Sequence, residues 1–261
     1  YLLPGARFGF RMGDVTAIDA MTHDGLTNPF TEKQMINEAS EVSNELEITR
    51  ADMDRFAVRS HELAHKATED GKLAEEIVSV TVKNRKGETV VDTDEGPRAG
   101  TTMDVLAALR PVVAGGSVVT AGNSSTLNDG ASAIIVASEA AIERLGLTPR
   151  ARIIDGASAG CEPEIMGIGP VPATQKVLAR TGLSVGDLGA VELNEAFATQ
   201  SLATMRRLGL DPEIVNRDGG AISLGHPLGS SGSRIAITLL GRMEREDARI
   251  GLATMCIGVG Q

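Results

Sequence analysis

The chain has 261 residues, enough for one large domain or two smaller ones. Its formal charge of −10 argues against a nucleic-acid partner, and one Tyr, five Phe and no Trp leave few rings on which bases could stack. The 42% hydrophobic content is that of a soluble globular protein, and no apolar run reaches the roughly 18 residues of a membrane span, so no membrane partner is expected.

The opening stretch YLLPGARFG lacks an initiator Met and a charged-then-apolar leader, so the chain reads as a piece of something longer. From Thr31 to Thr68 the apolar spacing is helical. Thr49-Arg50-Ala51-Asp52 forms a capping-box pattern ahead of Met53, Phe56, Ala57, Ser60, Ala64 and Ala67 on one face, and Gly71 stops the helix. IVSVTVKNRKGETVV reads as two strands joined at Lys86-Gly87, and Met103 to Ala108 as a short helix.

Near residue 127 the helical, charged text gives way to βα units. GSVVTAGNSSTLNDGASAIIVASEAAIERLG reads strand, polar loop, strand, helix. LGAVELNEAFATQSLATMRRLG reads strand then helix, and IGLATMCIGVGQ a strand entering a glycine-rich turn. Short Val/Ile/Leu runs alternating with helices predict an α/β sheet covered on both faces, and the scarcity of rings predicts an aliphatic core.

HELAH, His61 to His65, matches a zinc-protease pattern, but both histidines fall roughly 90° and 130° from the centre of the apolar face, toward solvent. KNRK could grip phosphate, yet Glu88, Asp92, Asp94 and Glu95 follow and favour a solvated hairpin; Arg98 stands apart from that cancellation. Two cysteines, Cys161 and Cys256, are too few for a disulfide framework or a Cys-based zinc site and fit a reducing, cytoplasmic setting.

Four loops at expected strand ends carry more. GNSSTLNDGA follows one strand, Asn194 opens the NEAFA loop, His226 precedes a helix around Ile235 to Met243, and Cys256 ends the last strand. Each has an ordinary reading: a turn, a helix cap, a glycine-rich connection, a small buried thiol. Together they place an amide, an imidazole and a thiol at one set of loops. Pro227 disfavours helical backbone at His226, Gly225 and Gly229 leave room for a ligand, and Ser230 or Ser231 can cap the next helix. His and Cys are suited to proton transfer near neutral pH.

In this order AGNSSTLNDGA, MGIGPVPAT, ELNEAFA, GGAISLGHPLGSSG and CIGVG resemble the C-terminal signatures of the thiolase family, which holds acetyl-CoA acetyltransferases and 3-ketoacyl-CoA thiolases. The resemblance runs over essentially the whole chain and is weakest at TEKQMINEASEV. It implies an α/β, thiolase-like layered fold, incomplete, with a helical CoA-binding loop domain. Residues 1–127 would form that loop domain, 128–149 the last strand and helix of the N-terminal half-domain, and 150–261 the C-terminal half-domain.

The resemblance also implies reversible Claisen condensation of acetyl-CoA or thiolysis of 3-ketoacyl-CoA, with acyl-CoA and CoA as substrates and no cofactor or metal. Cys256 would move the proton of the second substrate. His226 would activate the nucleophile and point into one oxyanion hole, which Asn194 would complete through a water; the Gly258 amide would serve the other. Ser125 would contact pantetheine in a tunnel lined by Leu26, Met35, Ala121, Ala196 and Phe197. Arg98 would face the nucleotide phosphate, and Met166 would border the acyl pocket. The family's acylated cysteine belongs to an N-terminal segment that would be this chain's partner, in a homodimer or homotetramer; Cys161 reads as a packing residue. Two alternatives stand beside this: a catalytically incomplete CoA-binding or assembly fragment, and a ketoacyl-ACP synthase-like condensing enzyme, which would carry a histidine where Cys256 stands.

Overall fold

In a computed structural model that describes every residue except Lys86 and Ser117, the helical stretch after Thr31 is two helices, α1 (Met35–Glu45) and α2 (Arg50–Glu69). Glu47, at φ +53°, breaks the run. The capping box forms: the Thr49 hydroxyl accepts from the Asp52 amide, and the Asp52 carboxylate accepts from the Thr49 amide. β1 (Val80–Asn84) and β2 (Gly87–Val91) pair as an antiparallel, exposed hairpin with Val80 opposite Val91. Of the turn expected at Lys86-Gly87, Lys86 lies outside the described residues. The short helices α3 (Met103–Ala107) and α4 (Glu139–Leu145) follow, each capped by the preceding Thr102 or Ser138 hydroxyl.

The second half is built on β3 (Ala190–Leu193), which runs parallel to β4 (Gly251–Thr254) and is bridged by Val215 on its other side. Around it stand α5 (Pro170–Thr181), α6 (Ala198–Leu208), α7 (Ala221–Leu224) and α8 (Leu228–Arg245). α8 packs on both strands, and α2 packs on α6 and α7, which joins the two halves. The core is aliphatic apart from Phe56: Met53 and Ala57 of α2 meet Val191 and Leu193 of β3, Ala203 and Met205 of α6, and Ile222 of α7. Each such large side chain contributes about 1.5–3 kcal/mol by leaving water.

Two expected strands do not form. At VVTA the Asn123 side chain accepts from the Thr120 amide and donates to the Val118 carbonyl, which diverts the backbone from a ladder. Asn123 is itself held by Asp54, which pairs with Arg50 at 2.7 Å. At ASAIIVAS, Ile135 and Val136 are 90% and 73% exposed and meet no partner strand among the described residues, so strand propensity has nothing to pair with.

A fully buried ion pair fixes α8 to the sheet. Arg242 donates to the Glu192 carboxylate at 2.7 Å, to the Val191 and Ile214 carbonyls at 3.0 Å each, and to Glu246 one turn away. Burial raises the Glu192 carboxyl, and the guanidinium works against that rise. Arg242→Met should cost about 3–5 kcal/mol in urea denaturation, because it strands a buried carboxylate. The double variant Glu192→Leu/Arg242→Met should cost less than the single one; an equal or larger loss would mean that the pair is not what holds α8.

Candidate active site

β3 and β4 end in register, Leu193 opposite Thr254, and the Asn194 amide donates to the Thr254 carbonyl at 3.0 Å. Asn194 and Cys256 therefore leave neighbouring parallel strands at their carboxyl ends, where ligands bind in open α/β sheets. Asn194 is fully buried, and its Oδ1 meets no donor among the described residues.

His226 enters from the turn between α7 and α8. Its amide donates to the Thr126 carbonyl at 3.1 Å and to Asn128 Oδ1 at 3.3 Å, so the GNSSTLNDGA loop carries it. Its Nδ1 lies 2.6 Å from Ser231 Oγ, and that hydroxyl donates to the Pro227 carbonyl. Ser231 Oγ is thus the acceptor of Nδ1–H, which leaves the Nε2 lone pair facing Asn194 Nδ2 at 3.4 Å. Burial, helped by the nearby Arg234 charge, pushes the imidazole down to about 4. At neutral pH it is an uncharged base aimed at the strand ends.

Cys256 is buried beside Met166 and Ala196, and Met35 and Phe197 pack against that cluster. Burial pushes the thiol up to about 12, so it keeps its proton. A Cβ on Gly258 would stand 3.0 Å from Met35 Sδ, too close for a larger residue without displacing Met35. Ser125 is tied to the same cluster: its amide and hydroxyl both donate to the Ala196 carbonyl, at 3.0 and 2.9 Å. The Arg98 side chain is exposed, while its amide donates to His61 Nδ1 at 3.2 Å. Leu26, half-buried in the Met21–Leu26 turn, and Ala121, exposed, are not part of the Cys256 cluster.

Three expectations change. His61 is buried rather than turned to solvent, because the Arg98 loop covers it and uses Nδ1 as an acceptor; His65 is half-exposed and pairs with Glu69. α8 starts at Leu228 with Pro227 as its cap residue, so neither Ser230 nor Ser231 caps it; Ser231 orients His226 instead. Gly225 makes room for the Asn128 side chain, not for a ligand, whereas Gly229 does face open space. Asn128 and the fully buried Glu195 were not singled out in the sequence, and Ser231 was read only as a helix cap. Only the spacing of Ser231, one helical turn after His226-Pro227, could have marked any of them.

Among the described residues, no group of three or more His, Cys, Asp or Glu is arranged to hold a metal ion, and no helix is long and apolar enough to cross a membrane. Residues 1–140 match the family model "Thiolase, N-terminal domain", and residues 147–261 match "Thiolase, C-terminal domain". The chain belongs to the thiolase family. The thiolase chain is 52% identical to an acetyl-CoA acetyltransferase of Paracoccus denitrificans over 100% of its own length and 66% of the relative's. It is 52% identical to a β-ketoadipyl-CoA thiolase of Pseudomonas aeruginosa over 90% of its length and 60% of the relative's. It superposes on human mitochondrial 3-ketoacyl-CoA thiolase with a TM-score of 0.95 at 40% identity, and on the Bacillus anthracis acetyl-CoA acetyltransferase with 0.93 at 40%. In both cases it covers 100% of itself and 66% of the solved chain. This thiolase chain therefore has the thiolase fold and spans about two thirds of the length of its relatives.

NMR titration should place the His226 imidazole pKa near 4. Its folded value lies below the ordinary 6.5, so the unfolded chain takes up the proton first, and stability is lost as pH falls from about 6.5 to about 4. Denaturation at a series of pH values should show that loss, and His226→Asn should flatten it.

Proposed function

We propose that this chain serves acyl transfer between CoA thioesters: reversible Claisen condensation of acetyl-CoA and thiolysis of 3-ketoacyl-CoA, with the acylated cysteine supplied from outside these 261 residues. The observation that carries the reading is the juxtaposition of a neutral imidazole, a buried amide 3.4 Å from it, and a protonated thiol on the adjoining strand end. His226 Nε2 takes the proton of the nucleophilic thiol and, once protonated, donates to the carbonyl oxygen as negative charge develops there. Asn194 Oδ1 is an acceptor suited to hold a water in the same hole. Cys256, protonated at rest, donates its proton to the acetyl-CoA enolate released on thiolysis; its thiolate removes that proton in the condensing direction. The Gly258 amide serves the second oxyanion hole, and Met166 borders the acyl pocket.

Ser125, with Leu26, Met35, Ala121, Ala196 and Phe197, would line the pantetheine path, and the exposed Arg98 guanidinium would meet the CoA phosphates. CoA thioesters enter as substrates, without a further cofactor. We divide the chain into a loop domain over 1–127, the end of an N-terminal half-domain over 128–149, and a C-terminal half-domain over 150–261. Two unpaired thiols suit the cytoplasm, and exposed apolar side chains such as Phe8, Met12, Ile135 and Val136 suit a homodimer or homotetramer.

A second reading, a CoA-binding or assembly fragment without catalysis, is favoured by the state of the two thiols: burial raises both, Cys161 with the help of Glu162, so neither is an activated nucleophile. Mass spectrometry after acetyl-CoA treatment should find no acetyl adduct on the 261-residue chain alone and a stoichiometric one on the full-length protein. An adduct on Cys161 or Cys256 in the chain alone would refute the role given to Cys256. In the full-length protein, His226→Ala and Cys256→Ala should each lower kcat for acetoacetyl-CoA thiolysis by about 10²–10⁴-fold. Arg98→Ala should weaken CoA thioesters more than pantetheine thioesters that lack the nucleotide; an equal loss for both would remove Arg98 from the phosphate site.

A further inference from the structure

Glu195 follows Asn194 directly, is fully buried, and has no ion-pair partner within 4 Å among the described residues. Burial raises its carboxyl, yet three donors converge on it. Asn216 Nδ2 donates to Oε1 at 2.8 Å; the Ser60 hydroxyl, at 2.7 Å, and the Ile222 amide, at 3.2 Å, donate to Oε2. Those donors come from three places. Ser60 stands on α2 beside His61, which holds the Arg98 amide. Asn216 clamps the end of β3, accepting from the Leu193 amide at 2.8 Å and donating to the Leu193 carbonyl at 2.7 Å. Ile222 lies in α7, four residues before His226. A Cβ on Gly220 would collide with the carboxylate, so the α7 turn sits directly on Glu195.

We infer that Glu195 is a positioning residue: its carboxylate holds the turn that delivers His226 against the strand end that delivers Asn194, and so sets the gap between the two. The donor pattern requires a carboxylate. Glutamine would have to turn its NH₂ toward either the Asn216 NH₂ or the Ile222 N–H, and one donor would then face another. Asn216 cannot turn over to relieve this without losing both bonds to Leu193. Two buried acceptors are needed, and leaving one donor unmatched displaces the turn. A displacement of about 1 Å at the reacting groups can cost roughly 10²-fold in rate.

The rate prediction rests on the acyl-transfer reading; the geometry does not. In the full-length protein, Glu195→Gln should lower kcat for acetoacetyl-CoA thiolysis by roughly 10²-fold while KM stays within about threefold, because the Glu195 side chain hydrogen-bonds to none of the residues given to the CoA path. The His226 imidazole resonances should shift, and its pKa should rise toward the ordinary value as the packing around it loosens. Ser60→Ala removes one donor without adding a competing one and provides a folded variant if Glu195→Gln does not fold. It should lower kcat roughly fivefold, about one net hydrogen bond, and move the same resonances in the same direction. A folded Glu195→Gln, or Ser60→Ala in its place, with an unchanged His226 titration overturns the positioning role whatever the activity. A wild-type protein without thiolysis but with a His226 titration that responds to Glu195 overturns the acyl-transfer reading and leaves the positioning role standing.

Discussion

The parallel pairing of β3 with β4 sets Leu193 opposite Thr254, and everything at the candidate site is placed relative to that register. The register brings Asn194 alongside Met255, one residue before Cys256, and because side chains alternate along a strand, a slip of one residue would turn every paired side chain of the ladder to the other face. Four residue pairs are a short ladder for that task. The register is reinforced from outside it: Asn216 clips both polar groups of Leu193, the Asn194 amide extends the ladder to Thr254, and Arg242 reaches through α8 to the Val191 carbonyl and Glu192. Side chains thus do part of what further backbone pairing does in a wider sheet.

This explains the unusual number of polar residues in the interior. Glu192, Asn194, Glu195, Asn216 and Arg242 are each 1% exposed or less. A buried ion pair or amide adds little net stability compared with a well-packed apolar residue, and it is costly when half-satisfied. What such groups provide is direction. A leucine can settle in several rotamers against a neighbour, whereas a carboxylate that receives donors from α2, α7 and Asn216 fixes where each of those elements lies. A site that must hold an amide and an imidazole at a set distance gains more from direction than from burial.

What could be read from the sequence was local. The Thr49 capping box needs only Asp52 three residues away, and the NEAFA and GHP loops sit at chain positions that their flanking strands and helices already define. What could not be read was long-range. His61 looked solvent-facing by helical periodicity because the group that covers it, the Arg98 amide, lies 37 residues on. VVTA has the composition of a strand, but the competing Asn123 side chain, held by Asp54 from 69 residues upstream, takes its backbone groups. Gly225 looked like space for a ligand because nothing near it in the sequence shows that Asn128 fills that space. Glu195 escaped notice for a similar reason: the donors from Ser60, Asn216 and Ile222 are visible only in the fold.

One physical cause, exclusion of water, acts in opposite directions on His226 and Cys256. It lowers the basic form's affinity for a proton at His226 and raises the thiol's hold on its proton at Cys256, so both rest uncharged at neutral pH. An imidazolium and a thiolate in place together would attract each other and would be a poor starting point for moving a proton to or from a carbon acid. With both neutral, the acyl-transfer reading has a thioester meet fixed dipoles, the Asn194 amide and the Gly258 backbone N–H, and a positive charge only once the imidazole has gained a proton. Dipoles already fixed by the fold need not reorient as negative charge gathers on a carbonyl oxygen, and in a water-poor cleft their effect is greater than in bulk solvent. The same burial that sets the resting protonation states therefore strengthens the donors beside them, and the hydrogen bonds that join Glu195, Asn216 and Leu193 fix where the Asn194 donor stands.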